Sequence, residues 1–221
     1  MTPADATGGV PGGILEHDEA TTARIDAAVG YMLRYLAPVE FRLACTPAER
    51  EAAYRLRYRA VIERGWQPPV ELRDELECEA VDEDAAHLIG WRDGHAIANS
   101  RITCPILGQP LPIELLLGTE VHPVGAVVQI DRLCVDRVHS DRRGELLLGM
   151  VCATWQLVHR WGFRYISGFF SPSMIRLFRG FGLEAIPLSP ARFYWGEERY
   201  PVIIAPLEVG ERFFERIYAA R

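Results

Sequence analysis

Three polar residues interrupt an otherwise apolar run, Val127-Val128-Gln129-Ile130-Asp131-Arg132-Leu133-Cys134-Val135. The β-branched residues and the short length predict a strand, so Gln129, Asp131 and Arg132 fall on an element that is ordinarily buried. An acid and a base in such a place must be paired, because removing one partner of a buried ion pair costs about 3–5 kcal/mol. A structural Asp–Arg pair at a sheet edge meets that requirement. So does a site that uses the same charges to order a substrate.

The loop that follows carries Arg137, Arg142, Arg143 and Gly144. Beyond it, Leu146, Leu147, Met150, Val151, Trp155, Leu157 and Val158 recur at roughly helical period, which predicts a helix from Glu145 to Arg160. Arg142-Arg143-Gly144 therefore stands at a helix N-terminus, where outward-pointing N–H groups suit a phosphate or a pantetheine amide. The full glycine-rich phosphate cradle is missing, and a solvated basic loop has the same composition.

The elements that must hold these residues follow from pattern. Met1–Thr22 is small, polar and glycine-rich, and reads as a tail; residues 23–221 read as one domain. Ile25, Val29, Met32, Leu33 and Leu36 mark a helix ended by Pro38, and Glu40–Ala44 alternates as a strand. Thr46-Pro47-Ala48-Glu49 has the spacing of a capping box, opening an arginine-rich helix (Arg55, Arg57, Arg59) that Gly65-Trp66 closes. Glu71–Glu83 reads as an acidic connection with few apolar anchors, ordered by contact with something else. Residues 86–102 form a hairpin around Asp93-Gly94, and 105–125 is a connection with a short helix at Ile113–Leu117. Tyr165–Phe170 is a strand, Ser171-Pro172 opens a helix through Phe178, and 183–188 and 200–205 are closing strands before a terminal helix.

Bulk properties narrow the function. The 221 residues are 49% hydrophobic and 24% charged, enough for a substantial core, and the net charge of −6 argues against general nucleic-acid binding. The five cysteines are scattered and never paired as CxxC, as in a protein of the reducing cytoplasm. No His or Cys spacing predicts a metal centre, no GxSxG elbow is present, and no run approaches the ~20 apolar residues of a membrane span. The acidic start lacks the basic n-region of a secretory signal.

The order of elements, with a polar-interrupted central strand feeding a basic loop and a helix, resembles the GNAT N-acyltransferase fold: α/β, with a mixed, mostly antiparallel central sheet flanked by helices. Leu56-Arg57-Tyr58-Arg59 followed by Gly65-Trp66 resembles the opening motif of the acyl-homoserine-lactone synthases and the long-chain N-acyl amino acid synthases. In that group an Arg and a Trp are followed by acidic residues, a hairpin Arg and a Glu-x-x-Arg strand. Here Arg57 and Trp66, then Glu79 and Asp82, then Arg101 and Arg132 fall at those positions, and the similarity spans roughly residues 40–206. The strand Glu is replaced by Gln129, which cannot act as a base; Ala60 or Val61 stands where a Phe is expected.

The resemblance implies amide formation from a fatty acyl thioester, with acyl carrier protein or coenzyme A as donor and no tightly bound cofactor. Such a reaction needs a neutral amine, a proton acceptor and donors aimed at the carbonyl oxygen, but no covalent nucleophile. Asp131, Glu79, Asp82 or a water could accept the proton. Arg57, Arg101 and Arg132 could hold an acceptor carboxylate or the acidic segment, and Trp66 would wall the pocket. Arg137, Arg142, Arg143, Gly144 and, on the last helix, Arg176 would meet the donor. The implied acceptor is an amino acid or similar amine. A lactone-forming quorum-signal synthase and a non-catalytic acyl-carrier-binding protein are the alternatives.

Overall fold

The computed structural model describes residues 19–66, 72, 74–139, 144–204 and 210–219. Eight strands make one sheet: β1 (Glu40–Leu43), β2 (Ala86–Arg92), β3 (His95–Thr103), β4 (Val127–Val135), β5 (Tyr165–Phe170), β6 (Ile186–Pro187), β7 (Arg192–Tyr194) and β8 (Glu197–Ile204). Their spatial order is β1-β2-β3-β4-β5-β8-β6, with β7 also on β8, and among the described residues only the β4–β5 pair is parallel. The mostly antiparallel sheet of a GNAT fold is therefore present, flanked by α1 (Glu19–Tyr35), α2 (Pro47–Arg64), α3 (Pro112–Leu117), α4 (Glu145–Arg160), α5 (Pro172–Gly180) and α6 (Glu211–Tyr218).

Local chemistry sets most boundaries. Thr46 Oγ1 accepts from the Glu49 N–H at 3.2 Å while Glu49 Oε2 accepts from the Thr46 N–H at 3.1 Å, completing the capping box of α2. Ser171 Oγ accepts from the Met174 N–H at 3.2 Å and opens α5. Asp93 and Gly94, with φ of 51° and 77°, make the tight turn between β2 and β3.

One face of the sheet carries the main core, where Ile97, Ile102, Val128 and Val202 meet Ile25 and Met32 of α1, Leu148 and Met150 of α4, and Ile217 of α6. The other face receives α2, which packs on β4 through Leu56, Ala60 and Cys134.

Two irregularities shape the centre. The β4–β5 ladder ends at Gln129↔Ser167; from there β5 follows β8 to Phe170↔Tyr200, while β4 follows β3 to Ala98↔Val135. The two parallel strands thus diverge into a V. A Cβ on Gly168 would lie 2.6 Å from the Ile130 carbonyl oxygen, so the strands are in near contact where they part. The second irregularity is a bulge. Asn99 pairs with Cys134 but Arg101 with Asp131, so β4 has one residue more than β3 across this step. Arg132 lies within it at φ 53°, and Asn99 Nδ2 donates to its carbonyl oxygen at 3.1 Å.

Some expectations need correction. α1 begins at Glu19, inside the stretch read as a tail to residue 22; residues 1–18 lie outside the described residues. The strand expected over 183–188 shrinks to Ile186–Pro187, since Leu183 and Ala185 are buried in the main core instead. The β7–β8 hairpin was not anticipated. Its turn, Trp195-Gly196, has φ of 49° and 87°. The described part of the acidic connection is anchored within the domain by charge, with Glu77 and Asp82 buried; Glu71 and Arg73 lie outside the described residues.

Candidate active site

The expected site residues converge between α2, the acidic segment, β3 and β4. Arg57 Nε binds Glu77, and its two terminal nitrogens donate to Asp82 Oδ1 and Oδ2 at 2.7 and 2.9 Å. Arg101, opposite Asp131 in the β3–β4 register, makes a bidentate pair with it at 2.6 and 2.8 Å and reaches Asp82 Oδ1 at 3.2 Å. Arg132 donates to Glu77 Oε1 at 3.0 Å and Glu79 Oε1 at 2.8 Å, the latter oxygen also lying 2.6 Å from Arg101. Three arginines are therefore enclosed by four carboxylates. Bidentate geometry of this kind is what makes burial of so many charges tolerable.

Gln129 belongs to the same cluster. Its Nε2 donates to Asp131 Oδ2 at 2.9 Å and its Oε1 accepts from the Ile113 N–H at 2.7 Å, tying α3 to the network. Glu77 was missed by sequence reasoning, although it lies in the acidic segment that supplied Glu79 and Asp82. Being one acid among many there, only its contact with Arg57 and Arg132 distinguishes it.

The electrostatics sort the carboxylates. Burial pushes the Asp131 carboxyl up, but Arg101 outweighs this and holds it below the ordinary range. Asp82 is likewise raised by burial and held well below that range by Arg57. Both are poor proton acceptors. Glu79 differs in access: its side chain keeps 22% of its exposure, against 0–5% for the other three.

Beside the network lies a cavity of about 320 Å³ that passes through the V. Its wall includes Ile130 to Cys134 of β4 and Ile166, Phe169 and Phe170 of β5, and reaches Thr154 and Val158 of α4 and Phe213 of α6. The lining is mainly apolar, which suits a hydrocarbon chain. Trp66 stands at the network end, 4.9 Å from Trp195 centroid to centroid, with the Arg132 guanidinium 4.4 Å over the Trp195 ring and that of Arg199 4.7 Å over Trp66. A Cβ on Gly196 would fall 2.6 Å from the Trp66 Cβ, so this packing requires glycine there. Trp195 and Arg199 escaped sequence reasoning because β7 was not foreseen. Cys134 also lines the cavity, but burial pushes its thiol up to about 12, so it supplies no thiolate nucleophile.

Other expected residues lie apart from this cluster. Arg137 is exposed in the turn after β4, Arg176 is exposed on α5, and Gly144 precedes α4 with φ 71°. Arg142 and Arg143 lie outside the described residues. Among the described residues no group of three His, Cys, Asp or Glu side chains could hold a metal, and no helix is long and apolar enough to cross a membrane.

A split between parallel strands, a bulged central strand and a buried Arg–carboxylate network together point to one architecture. The fold is that of the acyl-homoserine-lactone synthases. No family model and no curated protein sequence matches the chain. Among solved structures, the acyl-homoserine-lactone synthase LasI superposes with a TM-score of 0.64 at 16% identity, covering 82% of this chain and 95% of LasI. BjaI, a coenzyme A-dependent synthase of that class solved with SAM and isopentyl-CoA, gives 0.59 at 18% identity over 76% and 80% of the two chains. FeeM, an N-acyl amino acid synthase from uncultured soil microbes, gives 0.60 at 14% identity over 77% and 92%. In this chain the network described above stands where β4 and β5 part.

Proposed function

We propose that the protein is an N-acyltransferase that moves a fatty acyl group from an acyl carrier protein thioester to the amine of an amino acid or similar acceptor. The observation that carries this reading is the apolar cavity threading the β4–β5 split, with a charged, tryptophan-walled end where an acyl thioester carbonyl and an amine would meet. The amine nitrogen attacks the thioester carbon; the C–N bond forms, a proton leaves nitrogen, and the C–S bond breaks to release the thiol. Backbone N–H groups on the edge of β4 that β5 has left would stabilise the oxyanion. Glu79 is the carboxylate best suited to accept the proton, directly or through water, because Asp82 and Asp131 are engaged on both oxygens. Gln129 then positions Asp131 and α3 rather than acting as a base.

A second reading, synthesis of an acyl-homoserine lactone, is favoured by the likeness to LasI and by SAM in BjaI. The deciding experiment offers purified protein acyl-carrier-protein and acyl-coenzyme A donors with amino acids or SAM, and follows free thiol and product mass. An N-acyl amino acid supports the first reading and a lactone the second. No thiol release with any pair would leave a non-catalytic acyl-carrier-binding protein. Mass spectrometry of lipids from an expressing bacterium would identify the chain and the acceptor together.

A further inference from the structure

A second cleft opens beside the acyl cavity, with a volume of about 640 Å³. It lies between the acidic segment around Glu79–Asp84 and the stretch from Thr103 to Leu116. Its apolar wall includes Val81, Ile106, Leu111, Leu115 and Leu116. Ile106 and Leu115 are 44% and 69% exposed, so the cleft presents apolar surface to solvent rather than hiding it in the core. Its polar lining includes the carboxylates of Glu79 and Asp84; Glu79 is shared with Arg101 and Arg132, whereas Asp84 is exposed. Thr103 adds a buried hydroxyl with no hydrogen-bond partner among the described residues. An unpaired buried hydroxyl carries a desolvation penalty that a bound polar group would relieve.

The cleft adjoins the chemistry. Tyr194 lines both cavities, and Glu79 binds Arg132, which lines the acyl cavity. Both arginine contacts to Glu79 fall on Oε1, and a carboxylate offers about four lone-pair sites, so acceptor capacity remains for an incoming N–H.

We infer that this cleft is the acceptor subsite, taking a primary amine whose remaining bulk is apolar, with its nitrogen at Glu79 and its side chain along Leu111, Leu115 and Leu116. The inference rests on the acyl-transfer reading for its role, while binding by the cleft can be measured without it. The ligand class follows from the lining: apolar walls favour an aliphatic or aromatic side chain, and the exposed Asp84 carboxylate disfavours an acidic one. The amine could come from an apolar amino acid or from the same side chain without its carboxylate.

Titration calorimetry on the full chain, without donor, tests this with phenethylamine, phenylalanine and glutamate. The expected result is binding of phenethylamine, phenylalanine or both, and none of glutamate; the first two probes tell the two amine sources apart. Leu115→Lys places a cation on the wall and should weaken amine binding at least about tenfold. The acceptor KM should rise in parallel, while the KM for the acyl donor stays unchanged. Ile106→Lys, in the same stretch but outside any helix, should act the same way and guards against a folding defect in α3. Unchanged binding in both variants, equal binding of glutamate, or no binding of either amine would overturn the subsite. If an amine binds and both variants weaken it, yet no thiol is released with any donor, the subsite stands and the acyl-transfer reading falls.

Discussion

Asp131 and Arg132 are adjacent in sequence, yet both side chains enter the same buried network, Asp131 toward Arg101 and Arg132 toward Glu77 and Glu79. In a regular strand neighbours point to opposite faces. The bulge in β4, with Arg132 at φ 53°, removes that alternation and aims two successive charges at one site. An arginine at positive φ is a strained conformation, maintained here by contacts at backbone and side chain.

Removing Arg132 should therefore cost both activity and stability. Arg132→Ala takes one of two arginine partners from Glu77 and from Glu79, and loss of one partner of a buried pair costs about 3–5 kcal/mol. Denaturant unfolding should show that loss, and thiol release should vanish. Full turnover in a folded Arg132→Ala protein would exclude Arg132 from the site.

Gln129→Ala should act differently. It leaves Asp131 Oδ2 and the Ile113 N–H each without this partner, a penalty of about 1–3 kcal/mol for a buried group. Because Gln129 is no base, kcat should fall by less than the ~10²–10⁴-fold expected when a general base is lost. Single-turnover kinetics would check this, and a loss within that range would mean that Gln129 orients substrate or water itself.

His87 gives the fold a pH dependence near neutrality. It is buried against Tyr54, Arg57, Asp82 and Arg101, and burial lowers its pKa below the ordinary 6.5 despite the Asp82 carbonyl 3.3 Å from Nε2. With the folded value below the unfolded one, the unfolded chain binds the extra proton, so stability is present above about pH 6.5 and declines as pH falls below it. Urea unfolding of the parent chain and of His87→Gln should show a shallower decline between about pH 6.5 and 5 in the variant. An identical slope would remove His87 as the cause.

Donor docking should respond to salt. Acyl carrier proteins as a group are acidic, and this chain has a net charge of −6, so the proposed use of a carrier-bound donor requires a local basic patch. Arg137 and Arg176 are exposed, and Arg142 and Arg143 join them in sequence near the start of α4. With a Debye length of about 8 Å at physiological ionic strength, kcat/KM for the carrier-bound donor should fall steeply as salt rises. Arg137→Glu with Arg176→Glu should flatten that dependence and raise KM, with kcat nearly unchanged. Equal kcat/KM for free acyl-coenzyme A would instead assign the basic loop to the phosphates of that donor.

Periodicity and capping chemistry were sufficient, from sequence alone, for the α/β order of elements as far as α5, though not for the β7–β8 hairpin. The Thr46–Glu49 box, the Asp93-Gly94 turn, Ser171-Pro172 and the apolar stripe of α4 are local signals whose partners lie within a few residues, and each element stands where they place it. The polar residues of β4 were legible for the same reason, as charges in an apolar run. Tertiary structure decided what those charges do. Which carboxylate faces which arginine depends on a one-residue bulge between β3 and β4, and Glu77 became a partner of Arg57 only because the fold brings together two residues 20 positions apart. The cavity depends on two strands parting after Gln129↔Ser167, and its tryptophan wall on bringing Trp66 to a hairpin near the other end of the chain. Local sequence encodes propensity over a few residues; pairings across such separations are selected by packing and by the need to neutralise buried charge, and only the folded chain expresses them.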